Sequence, residues 1–367
     1  MNCAYMSPLL KSVEQAGMEG IRLKRNPGHM KVSDFFDNTE KVRAAFGKLI
    51  HAATRQIAII PSVSYGMAVV MKNLRIEKSQ HILVAEGQFP SNVYPWLRTQ
   101  ADTGAEVKII AAPDTRVQRG RQWNECLLEA INHRTRLVAL GNIHWADGTW
   151  FDLRAIRQRT REVGAWLVID GTQSVGALPL DVRAIQPEAL ICAGYKWLLG
   201  PYAMGMAYYA PELNGGIPVE ENWINRLNSE DFSGLVNYQP EYQPGALRYD
   251  VGERSNFILT PMMLAALKQV IAWKPANIQQ YCRHLTAPDV ARLRQQGFWV
   301  EEDAWRAHHL FGIRLPAQVS LDKVKKKLTQ EKISVSFRGN AIRVSPHVYN
   351  TAQDVKKLTE ALLQLTP

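Results

Sequence analysis

Seven short apolar runs between residues 56 and 210 constrain the fold more than any other feature. They read QIAII (56–60), HILVA (81–85), EVKIIA (106–111), RLVAL (136–140), AWLVID (165–170), EALICA (188–193) and GMAYY (205–209). Most are apolar throughout rather than alternating, and all are too short for helices. Such runs are strands buried on both faces. The stretches 121–133 and 152–163 are long enough for crossover helices. Strands of this kind separated by helices predict an α/β fold with a mostly parallel sheet of seven strands. In such sheets the site forms at the carboxyl ends of the strands.

The remaining chain has a looser pattern. Phe35, Val42, Phe46 and Leu49 recur at helical spacing and predict an amphipathic helix over 34–50. Residues 211–260 are rich in Asn, Gly, Pro and Tyr and read as long loops. Thr260-Pro261 resembles a helix start, with a capping hydroxyl before a first-turn proline, and Lys274-Pro275 a stop. Beyond it, HHLFGIRLP (308–316), a helix near 320–330, ISVSF (333–337), AIRVSP (341–346) and a final helix behind Thr351 and Asp354 describe a smaller α+β unit. A chain of 367 residues fits one large domain and one small one, placed at 20–255 and at 1–19 with 256–367.

Composition excludes several classes. No apolar run approaches the ~18 residues of a membrane span, and the N-terminus has no secretory pattern, so a cytoplasmic protein is expected. The four cysteines are far apart, with no metal-binding spacing. The formal charge of +10 is spread along the chain, and its densest run, DKVKKKLTQEK (322–332), reads as a solvated helix face. Nucleic acid is therefore not an expected partner; an anionic small ligand explains a basic surface as well.

Two residues carry the chemistry. Asp170 ends a core strand and is followed by Gly, Thr, Gln and Ser; alone, it reads as a turn former. Lys196 follows the apolar strand ALICAG and precedes Trp197, Leu198 and Leu199. A lysine so embedded needs a partner or a function. An amine that can form a Schiff base and a carboxylate that can pair with a pyridinium nitrogen together suit pyridoxal 5'-phosphate. PSVSYGMAVVMKNL (61–74) adds a strand, a turn with Ser62, Ser64 and Gly66, and a helix N-terminus able to hold a phosphate.

DGTQSVG followed by AGYKWLLGP resembles the class V aminotransferases of fold type I, the group of cysteine desulfurases, isopenicillin N epimerase-like proteins and kynureninases. The resemblance implies that Lys196 binds the cofactor aldehyde and Asp170 its ring nitrogen, with Gln173 near the phenolic oxygen. Ser64 and the adjacent Tyr65 belong to the expected cofactor pocket, and Tyr195 matches a phosphate-contacting tyrosine. EGQFPSN (86–92) puts Phe89 against the pyridine ring, where desulfurases typically have His, and NIHWADGTWFDL (142–153) puts Trp145 beside it. His144 reads as structural. RVSPHVYNTAQDV (343–355) resembles the segment whose arginine grips the substrate carboxylate, which makes Arg343 the substrate-binding candidate.

Departures from the pattern matter too. SVSFRGNAIRVS (334–345) has no cysteine and is too short for the desulfurase nucleophile loop, which argues against persulfide chemistry. The family's GTP element, which reaches the neighbouring subunit's phosphate, is replaced by GERSN (252–256); Glu253, Arg254 and Ser255 are the candidates for that contact, with Ser255 counted among the cofactor-binding residues. A homodimer with shared active sites and a small amino-acid substrate follow from the resemblance. The expected activity is transamination, with Lys196 as the base at Cα. Lyase, hydrolase and epimerase reactions would use the same residues. A non-catalytic cofactor-binding protein is the further alternative.

Overall fold

Strand β5 (Trp166–Asp170) shows how the larger sheet is built. Its residues alternate between two cores: Leu167 and Ile169 on one face, Val168 on the other. Both cores are apolar because helices cover both faces. The computed structural model describes residues 1–339 and 341–366. The other strands are β1 (Ile57–Ile60), β2 (His81–Ala85), β3 (Glu106–Ile110), β4 (Thr135–Gly141), β6 (Ala189–Ala193) and β7 (Gly205–Tyr209). They lie in the order β1-β7-β6-β5-β4-β2-β3. All pairings are parallel except those of β7, which runs antiparallel to both neighbours. All seven apolar runs are strands, and the expected mostly parallel α/β sheet is present.

The helices are α1 (Lys11–Leu23), α2 (Asp37–Ile50), α3 (Val63–Asn73), α4 (Tyr94–Thr103), α5 (Arg119–Ala130), α6 (Leu153–Glu162), α7 (Val182–Ile185), α8 (Leu259–Trp273), α9 (Pro275–Gln295), α10 (Leu321–Gln330) and α11 (Ala352–Leu363). Phe46 of α2, Trp123 of α5, Ile156 of α6 and Met263 of α8 fill one core; Met67 and Val70 of α3 and Trp96 of α4 fill the other. Each side chain of this size contributes ~1.5–3 kcal/mol on burial. The lysines of α10 surround a buried stripe of Val324 and Leu328, the solvated face expected of that run.

Two helix boundaries differ from expectation. Thr260 is not the cap of α8: Asn256 Oδ1 accepts from the N–H groups of Ile258 and Leu259 at 3.1 and 2.9 Å, and the Thr260 hydroxyl donates to the Arg254 carbonyl at 3.1 Å. Lys274-Pro275 ends α8 but also begins α9, with Lys274 at φ 65° and proline in the first turn. Helix α9 has no clear apolar period because Thr286 and Asp289 lie on its buried face and Pro288 interrupts it.

A second sheet, β8-β10-β9, is antiparallel: β8 (Phe311–Arg314), β9 (Ser336–Arg338) and β10 (Ala341–Val344). Its core includes Phe311, Ile342 and Val344 with Leu293 of α9 and Leu358 of α11. The chain start is pinned to it, with the Cys3 N–H donating to the Ser345 carbonyl at 3.1 Å. The chain then passes beneath residue 195, where the Ser7 N–H donates to the Tyr195 carbonyl at 3.2 Å, and enters α1. Gly20 lets α1 lie against the start of α8, since a Cβ there would clash with the Phe257 carbonyl just ahead of that helix. The boundary drawn between 255 and 256 falls just ahead of α8, whose Met263 and Leu267 pack in the larger sheet's core.

Candidate active site

Asp170 is the last residue of β5, at the carboxyl end of the parallel strands, and is 8% exposed. It caps the short turn Gly171–Gln173, and its Oδ1 accepts from the Thr172 N–H at 3.0 Å. The Thr172 hydroxyl accepts from the Ala193 N–H at 3.1 Å, which fixes this turn to the end of β6. Lys196 follows β6 directly. Gly194 N–H donates to the Met204 carbonyl at 3.0 Å, and Gly200 N–H donates back to the Gly194 carbonyl at 2.9 Å. That closed loop requires Leu199 at φ 57° and Ala203 at φ 62°, left-handed values that cost non-glycine residues on the order of 1 kcal/mol or more each. Lys196 is thus held by backbone geometry and is 6% exposed.

Burial sets the protonation of both groups. It lowers the Lys196 amine to about 8, a shift opposed by Asp170 and deepened by Arg343 and Arg338. Burial also raises the Asp170 carboxyl, opposed by Thr172 and Lys196. An amine so lowered is available as nucleophile or base near neutrality.

The two groups share a cavity of about 310 Å³ with Ser62, Ser64, Phe89, Trp145, Gln173 and Tyr195. Lys196 Nζ lies 5.3 Å from the Phe89 ring centre and 5.6 Å from that of Tyr195. Phe89 meets Trp145 edge to face at 5.3 Å, and Trp145 is fixed by its indole N–H, which donates to the Gly87 carbonyl at 2.6 Å. The Ser62 hydroxyl, also in the lining, accepts from the Tyr65 N–H at 3.2 Å as the cap of α3, and lies 2.9 Å from the Ser64 hydroxyl. Clefts of about 750 and 600 Å³ lie elsewhere, but neither is lined by a lysine. Convergent titratable groups, not size, mark the smaller cavity.

Arg343, on β10, is 1% exposed and is not among the residues lining this cavity; it reaches the cavity's edge only through its contact with Trp145. Its Nη1 donates to the Trp145 carbonyl at 2.9 Å and its Nη2 to the Ser336 hydroxyl at 3.3 Å, while Nε has no partner among the described residues. No carboxylate of the described residues lies within 4 Å of it. Burial, with Arg338 nearby, lowers its guanidinium to about 10.

Two expected residues, Tyr65 and Gln173, are placed differently. Tyr65 does not line the cavity: its ring packs in the core beyond α3, and its hydroxyl is pushed up by burial and by Glu220. The helix turn that aims Ser64 inward aims its neighbour outward. Gln173 lines the cavity, but its Oε1 accepts from the Trp197 indole at 2.8 Å and its Nε2 donates to the Ala4 carbonyl at 3.2 Å. Its amide is largely committed to the protein. Ser255 is outside the cavity, and its hydroxyl donates to the Phe35 carbonyl. Arg254 beside it pairs with buried Asp250.

Sequence reasoning passed over Thr172 and Tyr202. Thr172 was visible in the DGTQ string, whereas Tyr202 reaches the cavity by packing on Tyr195 at 4.6 Å, a tertiary contact. Cys3 was also unforeseen near the site: it lies under the Lys196 carbonyl at 3.9 Å, fully buried, its thiol pushed up to about 12. A thiol so held is a poor nucleophile. His144 is structural, bonded to Asp147 and to the Glu86 carbonyl, each at 3.1 Å.

This arrangement of fold, lysine and carboxylate is that of a known class. The class-V aminotransferase family profile matches residues 11–358, and the chain belongs to that family. Among curated relatives, an uncharacterized aminotransferase, YcbU, of Bacillus subtilis is 26% identical over 90% of this chain and 84% of its own. Isopenicillin N epimerase of Streptomyces clavuligerus is 21% identical over 89% of this chain and 84% of its own. A solved cystine C-S lyase, C-DES, superposes with a TM-score of 0.87 at 19% identity, over 100% of this chain and 97% of its own. The fold is therefore fold type I, and the cofactor is pyridoxal phosphate, which class V aminotransferases use. No helix among the described residues is long and apolar enough to cross a membrane.

The residues fit that cofactor. A lowered amine, a buried carboxylate and a helix N-terminus carrying two hydroxyls line one cavity. They suit an aldehyde, a ring nitrogen and a phosphate respectively.

Proposed function

We propose that the protein transfers amino groups between amino acids and keto acids. Lys196 would bind the cofactor aldehyde, Asp170 its ring nitrogen, and Ser62 and Ser64 with the first turn of α3 its phosphate. When bound, pyridoxal phosphate supplies a ring that stabilises negative charge at the substrate's Cα. Arg343 would accept the substrate carboxylate on its fork and so fix which Cα bond faces that ring. Lys196 would take the Cα proton and deliver it to the carbon that had been the cofactor's aldehyde. Ser255 and the segment around it would serve a neighbouring subunit in a homodimer.

The observation that carries this reading is the lowered Lys196 amine in one cavity with Asp170. The apolar wall of Phe89 and Trp145 favours a reaction with one base. Epimerisation with two bases would need a second proton carrier at Cα, and besides Asp170 and Lys196 the titratable groups lining the cavity are the tyrosines Tyr195 and Tyr202. Inert Cys3 gives no support to persulfide chemistry.

The test loads the protein with pyridoxal phosphate and supplies ¹⁵N-labelled amino acids with a set of keto acids. Label should appear in a new amino acid. Label released as ammonia would sink transamination in favour of a lyase.

A further inference from the structure

Arg343 has a half-buried neighbour, Arg338, that also lacks an acid partner among the described residues. Residues 336 and 338 of β9 lie opposite 343 and 341 of β10, so Arg338 and Arg343 are diagonal partners on one face of the small sheet. Both approach the same indole: the Arg338 guanidinium carbon is 5.1 Å from the Trp145 ring and that of Arg343 is 5.8 Å. Arg338 uses Nη1 on the Phe337 carbonyl at 2.7 Å, and its Nε is buried without a partner among the described residues. No described carboxylate lies within 4 Å of either guanidinium. Arg43 and Arg254 pair with Asp250, Arg119 with Asp147, Arg157 with Glu188 and Arg306 with Asp303, whereas half-buried Arg248 and Arg314 are, like Arg338, without an acid partner among the described residues; what sets Arg338 apart is its place beside Arg343 and Trp145. Two adjacent like charges beside Trp145 repel, and an anionic ligand relieves the repulsion.

We propose that Arg338 is a second anion contact beside Trp145, at the edge of the cavity that Trp145 lines, which makes the substrate an amino acid with a side-chain carboxylate. Arg343 holds the α-carboxylate and Arg338 the distal one, across the face of Trp145. This rests on the assignment of Arg343 to the substrate. It adds that chain length and distal charge, rather than apolar bulk, select the substrate. The two forks are fixed on neighbouring strands, so they accept a limited span between carboxylates.

The test is equilibrium binding of unreactive acids to the cofactor-loaded protein by titration calorimetry, which needs no turnover. Glutarate should bind at least tenfold more tightly than valerate, and succinate more tightly than butyrate. R338Q should abolish that preference while leaving valerate affinity within about twofold, and R338K should retain part of it. Equal binding of glutarate and valerate by the wild type, or an unchanged preference in R338Q, overturns the proposal. The proposed function fails on a different readout, release of label as ammonia.

Discussion

Two buried arginines in this molecule stand in opposite states. Arg43, on α2, is fully buried and meets Asp250 through two hydrogen bonds, one of them 2.9 Å from Nη1 to Oδ1, with Glu40 at 2.9 Å on Nε. Its acids outweigh the burial and raise its guanidinium above the usual value. Arg343 is buried just as deeply but faces a carbonyl and a hydroxyl, and its guanidinium is lowered to about 10. The first charge is completed within the chain, and the Asp250 carboxylate also anchors β1 by accepting from the Ile59 N–H at 2.7 Å. The second has no acid partner among the described residues, which is what its proposed substrate role requires. Burying a charge costs several kcal/mol unless a partner compensates, so an uncompensated one marks where binding energy is stored.

The contrast breaks most easily at Asp250. D250A strands Arg43 and should cost about 3–5 kcal/mol in urea unfolding, far more than any change at Arg343. An effect under about 1 kcal/mol would mean the Arg43 pair does not support the fold.

Next in size is the pH dependence set by Lys196. Its amine sits at about 8 in the folded protein against 10.5 when unfolded. Below pH 8 both states hold the proton and the full cost of burying the charge is present. Between 8 and 10.5 the unfolded chain binds more protons, so stability of the cofactor-free protein rises with pH, by about 3 kcal/mol in all. K196M should flatten that rise, and a wild type that loses stability over this window because of Lys196 would contradict the assignment.

R343M should leave the unliganded protein within about 1 kcal/mol of wild type, because it removes an uncompensated charge. It should weaken binding of substrate amino acids on the order of 10²-fold, the scale of a charged fork on a carboxylate. Comparable losses of stability in R343M and D250A would erase the distinction between the two arginines. The smallest effect is expected at Ser64, a neutral hydroxyl that lines the cavity where the phosphate is proposed to sit. S64A should weaken pyridoxal phosphate retention by about three- to tenfold, measured by equilibrium dialysis.

Much of this was legible in the chain. Buried parallel strands write their own signal, because both faces must be apolar, and all seven runs from 56 to 209 became strands. Asp170 and Lys196 stood out because charge at the end of an apolar run is costly. Helix α9 was missed, since polar Thr286 and Asp289 occupy its buried face. Tyr65 was assigned to the cavity with Ser64, but one step along a helix turns a side chain by about 100°.

The sequence by itself determined the sheet, the position of its active edge and the two groups that meet there, because burial and strand length are local properties. Tertiary structure decided which charges are satisfied. Nothing in the strings around Arg43 and Arg343 says that one meets Asp250, distant in the chain, and the other does not. Nor do they show that Arg338 and Arg343 converge on Trp145 from neighbouring strands. Compensation of charge depends on distances across the fold, and sequence spacing does not encode them.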